Sequence, residues 1–191
     1  FFSHLTKTPR KIIQGKKIKK IIVVNLDDAH APFFLQFFAD IKIGFGTSGS
    51  YDIAGIEELR AQDIDLKPGS SRFSLRDTAF STNLLGIHNV YNALAALSAV
   101  FGLGLKIQKA QHAFENIIVP GRMEFINEGQ DFTVIVDYAP EPQGVSKLYK
   151  TLELLDTNKI IHVLGSCGGG RDRARRKVLG RMAGKFSDYV I

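Results

Sequence analysis

Phe132-Thr133-Val134-Ile135-Val136-Asp137-Tyr138 and, downstream, Ile160-Ile161-His162-Val163-Leu164 decide the fold class. Both are apolar runs rich in β-branched residues, as expected of strands buried on both faces. Between them Val145, Leu148, Tyr149, Leu152 and Leu155 recur at helical spacing. After the second run come Gly165-Ser166-Cys167-Gly168-Gly169-Gly170, a helical stretch from Arg173 to Phe186, and a further strand beginning at Asp188. The order β-α-β-α-β implies a parallel sheet of the doubly wound α/β kind.

Upstream the pattern differs. Val119-Pro120-Gly121 interrupts the chain, and a domain boundary is expected there, dividing residues 1–119 from 120–191. Ile18 to Asn25 reads as a buried strand ending in Asn25-Leu26-Asp27-Asp28, Pro32 to Phe38 as a short helix, and Ile41 to Phe45 as another strand. Ala61 to Leu66 and Arg72 to Leu75 flank Pro68-Gly69-Ser70-Ser71 as a hairpin. Val90, Ala93, Leu94, Leu97, Val100 and Phe101 line a helix with Gly102 and Gly104 past its end; Ile107, Ala110, Phe114 and Ile118 mark a second.

The composition is that of a soluble, core-forming chain: 191 residues, 45% hydrophobic and 23% charged, which excludes a disordered tail or a collagen-like repeat. No apolar run approaches the roughly 20 residues of a membrane span, so no membrane insertion is expected. The start, Phe1-Phe2-Ser3-His4, carries no secretory signal and reads as an interior cut. The single cysteine, Cys167, excludes an internal disulfide and suits the cytoplasm. The net charge of +6 is unevenly placed: residues 1–20 hold +7, residues 168–191 hold +5, and the stretch between is acidic at −6. Two basic clusters on an acidic body fit local anion sites better than a nucleic-acid coat, and no nucleic-acid partner is expected.

Four places can carry chemistry. Asn89 and Asn92, in His88-Asn89-Val90-Tyr91-Asn92, share a helix face near its start; they either cap the helix or read the edge of a purine. Arg122, in Pro120-Gly121-Arg122-Met123-Glu124, either reaches a ligand from the boundary or pairs with Glu124 at the surface. Asp137 ends a strand where open sheets bind ligands; it either accepts from a ribose or a metal, or caps the next helix near Glu141. Gly168-Gly169-Gly170-Arg171-Asp172-Arg173 lies between strand and helix, either as an anion cradle or as a tight turn before a basic helix. The chain lacks G-x-x-x-x-G-K-[ST] and G-x-G-x-x-G. His4, His30, His112 and His162 have no metal-ligand spacing, so no metal site is expected, and Cys167 is not a candidate nucleophile.

In order, these motifs resemble the Mur ligase family, nearest its MurE-type branch of UDP-N-acetylmuramoyl-tripeptide synthetases. The likeness rests on Gly86 to Ala96 (GIHNVYNALAA), Pro120 to Glu124 (PGRME), Val136-Asp137-Tyr138-Ala139, Gly168 to Asp172 with Arg175-Arg176, and Asn25-Leu26-Asp27-Asp28 upstream. It implies an α/β fold comprising the C-terminal half of a Mur-ligase central ATPase domain, followed by the start of a Rossmann-like parallel-sheet domain that binds the amino acid. The phosphate-binding loop and a carbamylated lysine would lie before Phe1, and an Asp-Asn-Pro-Arg motif after Ile191, so this piece alone is expected to be inactive.

The implied reaction is ATP- and Mg²⁺-dependent addition of a free amino acid, diaminopimelate or lysine, to UDP-N-acetylmuramoyl-dipeptide through an acyl phosphate, in peptidoglycan precursor synthesis. By the same resemblance Asn92 and Asn89 would contact adenine, Arg122 and Asp137 would frame the nucleotide with Arg122 catalytic, and Arg171 and Arg173 would meet substrate charge. Two departures stand out. Asp137-Tyr138-Ala139-Pro140-Glu141-Pro142 replaces the family's Asp-Tyr-Ala-His-Thr-Pro, and Lys177 stands where proline is frequent. The alternatives are a cyanophycin synthetase-like or folylpolyglutamate synthase-like ligase, and a non-catalytic nucleotide-binding module.

Overall fold

The structure, a computed structural model, describes residues 2–49, 53–165, 170 and 172–191. In chain order its elements are α1 (Phe2–Lys7), β1 (Ile12–Ile13), β2 (Lys16–Lys17), β3 (Ile21–Asn25), α2 (Ala31–Leu35), β4 (Ile41–Gly46) and β5 (Glu57–Arg60). Then come β6 (Gln62–Lys67), β7 (Ser70–Leu75), β8 (Thr78–Thr82), α3 (Ile87–Gly102) and a 3-10 helix (Ile107–Phe114). The last are β9 (Glu124–Ile126), β10 (Val134–Val136), α4 (Pro142–Leu152), β11 (Ile161–His162), α5 (Arg173–Phe186) and β12 (Tyr189–Val190). They group into two compact units. One is Phe1–Asp65, Ser71–Thr82 and Ile87–Asn116; the other is Leu66–Ser70, Asn83–Gly86 and Ile117–Ile191.

The first unit is built on a parallel sheet, β3-β4-β5, in which Val23 pairs with Ile43 and Phe45 with Leu59. The alternating burial of β3 places Ile22 and Val24 in the core, where they join Leu26, Ala31 and Leu35 from the chain after it. In α3, Val90, Ala93, Leu94 and Leu97 are buried, the stripe expected from their spacing, and the helix packs on β3 and β4. Gly102, expected past the helix end, is instead the last residue of α3 and part of that contact. A Cβ there would lie 2.8 Å from Ile43 Cδ1 and 2.9 Å from Ile21 Cγ2, so only glycine lets the helix approach this closely. The left-handed residue past the end is Gly104, at φ 79°. The expected hairpin is present as β6 and β7, neighbours in a sheet with β8 and joined through Pro68 and Gly69.

The expected second helix is shorter and tighter than its spacing implied. It is a 3-10 helix ending at Phe114; Ile107 and Phe114 are buried, whereas Ile118 is 75% exposed. With mostly polar side chains between the two buried positions, little apolar surface is available to favour a longer α-helix.

In the second unit, Val145 and Tyr149 of α4 pack against Leu179 of α5. β11 and β12 pair in parallel across α5, as the alternating order required. The run 132–138, expected as a buried strand, is instead a three-residue β10 paired antiparallel with β9. Val136 is 44% exposed and Phe132 66%. A local turn accounts for the antiparallel pairing. Asn127 Oδ1 accepts from the Gly129 N–H, Gln130 Nε2 donates to the Ile126 carbonyl, and Gly129 takes φ 88°. That turn folds Phe125 back against Ile135 before any crossover can form.

Candidate functional site

In the first unit, α3 begins at Ile87, so Asn89 and Asn92 both lie inside the helix, beyond the capping position. Their side chains form a directed chain: Asn92 Nδ2 donates to Asn89 Oδ1 at 3.2 Å, and Asn89 Nδ2 lies 3.2 Å from His88 Nε2. Because an amide nitrogen can only donate, His88 Nε2 is the acceptor. Asn89 is buried, while Asn92 is exposed. The amide oxygen of Asn92 and its second N–H are therefore oriented by a buried partner and can serve a ligand that presents an adjacent donor and acceptor, as the edge of adenine does.

Beside this helix start lies a cluster that the four candidate places did not include. Asp27 follows β3 and Thr47 follows β4, so both lie at the carboxyl edge of the parallel strands. Tyr91 donates its phenolic proton to Asp27 Oδ2 at 2.6 Å, and the Thr47 N–H donates to the same oxygen at 2.7 Å. Burial, and then the hydrogen bond to Asp27, pushes the Tyr91 phenol above its usual range, while the bond to Thr47 acts the other way. A signal was present in the sequence: Asp27 ends a strand of β-branched residues, the same position that singled out Asp137.

In the second unit, Arg122 and Asp137 come together through the backbone. Asp137 Oδ2 accepts the Met123 N–H at 2.8 Å, and Oδ1 accepts the Ala139 N–H at 2.8 Å. The Tyr138 N–H donates to the Gly121 carbonyl at 2.8 Å. Asp137 therefore does not cap α4, whose capping residue is Glu141, with no side-chain bond to the helix. It clamps the turn 121–123, where Gly121 takes φ 68° and Met123 φ 47°. Each carboxylate oxygen has two lone pairs, so one on each remains for a ligand hydroxyl.

The surface pair between Arg122 and Glu124 is not formed either. Glu124 Oε2 accepts the Gly121 N–H at 2.7 Å, and the Arg122 guanidinium lies 4.9 Å from the centre of the Tyr138 ring. Resting on an aromatic face leaves the edge of the guanidinium, with its N–H donors, open to an anion.

Gly168, Gly169 and Arg171 lie outside the described residues. Arg173 is exposed in the first turn of α5, following Asp172 in the left-handed region at φ 33°. The departure Pro140-Glu141-Pro142 has a visible consequence: Glu141, held extended before Pro142, forms an ion pair with Arg175 of α5. A further cluster was not read from sequence. Buried Tyr149 lies with its hydroxyl 2.5 Å from His162 Nδ1 and 3.0 Å from Ser187 Oγ, and burial lowers the His162 pKa below its ordinary value. Among the described residues no helix is long and apolar enough to cross a membrane.

Comparison with known proteins places the chain in a family. The UDP-N-acetylmuramoyl-L-alanyl-D-glutamate--2,6-diaminopimelate ligase of Geobacillus thermodenitrificans (strain NG80-2) is 34% identical over 177 residues, covering 90% of this chain and 35% of that protein. The UDP-N-acetylmuramyl-tripeptide synthetase of Roseiflexus sp. (strain RS-1) is 37% identical over 180 residues, covering 92% of this chain and 34% of that protein. A solved structure of a UDP-N-acetylmuramoyl-L-alanyl-D-glutamate--2,6-diaminopimelate ligase superposes with a TM-score of 0.58 at 29% identity, covering 90% of this chain and 36% of that one. The chain thus spans about a third of the length of the curated relatives it matches. The Mur ligase middle domain matches residues 2–100, just over half of the chain, and the Mur ligase glutamate ligase domain matches residues 121–191. The chain belongs to the Mur ligase family.

Proposed function

We propose that this chain is part of a cytoplasmic, ATP-dependent ligase that joins a diamino acid, diaminopimelate or lysine, to UDP-N-acetylmuramoyl-dipeptide in peptidoglycan precursor synthesis. The observation that carries this reading is the alignment over nine-tenths of the chain, across both family domains, with proteins named for that reaction. The domain boundary near residue 120 is part of the same proposal, supported by one family match ending at residue 100 and the next beginning at 121.

In this reaction the dipeptide carboxylate takes the γ-phosphoryl group of ATP, giving an acyl phosphate and ADP. The amine of the incoming amino acid then attacks the acyl carbon, phosphate leaves, and the amine loses a proton as the amide forms. Asn92, oriented by Asn89, reads the adenine edge. Asp137 offers its remaining lone pairs to the ribose. Arg122 donates to phosphate oxygens as charge builds on them; a donor of this kind contributes about 3 kcal/mol to a transition state. Arg171 meets the carboxylate of the amino acid, and Arg173 meets phosphate or substrate charge. The magnesium ion would offset phosphate charge, and none of the described residues is assigned to hold it.

Calorimetric titration of the 191-residue chain with ADP and with UDP tests the nucleotide reading. ADP binding in clear preference to UDP is expected, weakened by Asn92→Ala. Equal affinity for the two nucleotides, or indifference of ADP to Asn92→Ala, would refute it.

A further inference from the structure

The Asp27–Thr47–Tyr91 cluster is not accounted for by the reaction just described. The geometry points to Asp27 as a positioning residue: with Thr47, it acts through Tyr91 to hold the start of α3, and so the Asn89–Asn92 amide pair, in the attitude that meets adenine. This rests on the nucleotide reading above.

Three observations carry it. The first is proton accounting. Tyr91 has one hydroxyl proton and gives it to Asp27 Oδ2 at 2.6 Å. Thr47 Oγ1 is 2.7 Å from the Tyr91 oxygen and 3.2 Å from Asp27 Oδ2, so its own proton has a nearby acceptor in the phenolic oxygen. With the Thr47 N–H also on Asp27, one carboxylate oxygen joins the ends of β3 and β4 to a single residue of α3. Bonds to an ionised acceptor are the strong and directional ones.

The second is the room made for that carboxylate. A Cβ on Gly46 would lie 3.0 Å from both Asp27 oxygens, so a side chain at position 46 would crowd it. The third is what the rest of the interface leaves open. Val90, Ala93, Leu94 and Leu97 bury α3 against the sheet. Apolar contact is non-directional and tolerates rotation of the helix about its axis and small slides along it. A directional bond at Tyr91, the residue before Asn92, removes that freedom where the amides are.

The test uses the whole 191-residue chain labelled with nitrogen-15, with ADP as the probe and the side-chain amide resonances of Asn89 and Asn92 as the readout. Tyr91→Phe keeps the ring and removes the hydroxyl; Thr47→Val removes the second hydroxyl, and Thr47→Ser restores it. Tyr91→Phe is expected to shift both amide pairs without nucleotide present and to weaken ADP by about three- to tenfold, the share of a charged hydrogen bond that passes to the neighbouring amides. Thr47→Val is expected to weaken ADP and Thr47→Ser to retain it, with circular dichroism unchanged throughout.

If Asn92→Ala weakens ADP while Tyr91→Phe binds it as the parent does, the positioning role is overturned and the nucleotide reading stands. Unmoved amide resonances in Tyr91→Phe overturn the role independently of ADP. If ADP moves neither amide pair in the parent chain, the nucleotide reading fails and takes this inference with it.

Discussion

Replacing Asp137 by alanine separates its structural from its ligand-binding work. Its two oxygens accept the Met123 and Ala139 N–H groups, each at 2.8 Å. A hydrogen bond to a charged acceptor contributes about 1.5–3 kcal/mol, and these two are partly buried, so water replaces part of the loss. Asp137→Ala should therefore cost the second unit about 2–4 kcal/mol. Asp137→Asn keeps one carbonyl acceptor and should cost about half as much.

Urea unfolding followed by circular dichroism reads the total; at a slope of about 1–2 kcal/mol per M the midpoint falls by roughly 1 M or more in the alanine variant. Amide exchange reads the cause, because protection should fall first at Met123 and Ala139. If Asp137→Ala unfolds within about 0.5 kcal/mol of the parent, a shift no larger than ordinary surface substitutions give, the clamp is not what holds the 121–123 turn.

Other perturbations have equally definite outcomes. Gly44→Ala would put a Cβ 2.3 Å from Leu26 Cδ1, a buried side chain, and should destabilise the first unit by about 1–3 kcal/mol in a thermal or urea melt. His162 has a lowered pKa in the fold, so the unfolded chain takes up its proton first as pH falls. Stability of the second unit should be full above the ordinary histidine range and decline as pH drops through and below about 6.5, and His162→Asn should remove that part of the decline. Arg122→Ala should leave the unfolding midpoint nearly unchanged, since an exposed cation–π contact is worth about 0.5–1 kcal/mol. It should nevertheless weaken ADP in calorimetry; unaltered ADP affinity would remove Arg122 from the nucleotide.

Strands β3 and β4 of the first unit and helix α3 were legible because their residues obey simple patterns: a β-branched run at Ile21–Asn25, alternating apolar positions at Ile41, Ile43 and Phe45, and an apolar stripe from Val90 to Leu97. Legibility failed where a local interaction competed with the pattern. The run 132–138 reads as a buried strand of the parallel sheet, but the turn at Asn127–Gln130 captures it into a hairpin with Glu124–Ile126. Gly102 reads as a residue past the helix end, but it is the last helical residue, and a sequence does not show that Ile21 and Ile43 crowd its α-carbon.

The candidate residues were legible as types but not as contacts. Asp137 and Glu124 both spend their carboxylates on backbone N–H groups of the 121–123 turn and its neighbours, which no spacing rule could anticipate. The same holds for Tyr91, whose partners lie 64 and 44 residues away in the chain.

Photolabelling with 8-azido-ADP, mapped by mass spectrometry, tests the central claim most directly, because the reactive group sits on the base itself. We predict labelling within the segment that contains His88 to Asn92, suppressed by excess ADP and by Asn92→Ala. Label concentrated instead on the basic stretch from Lys7 to Lys20, or scattered without competition by ADP, would contradict the assignment of adenine to the start of α3.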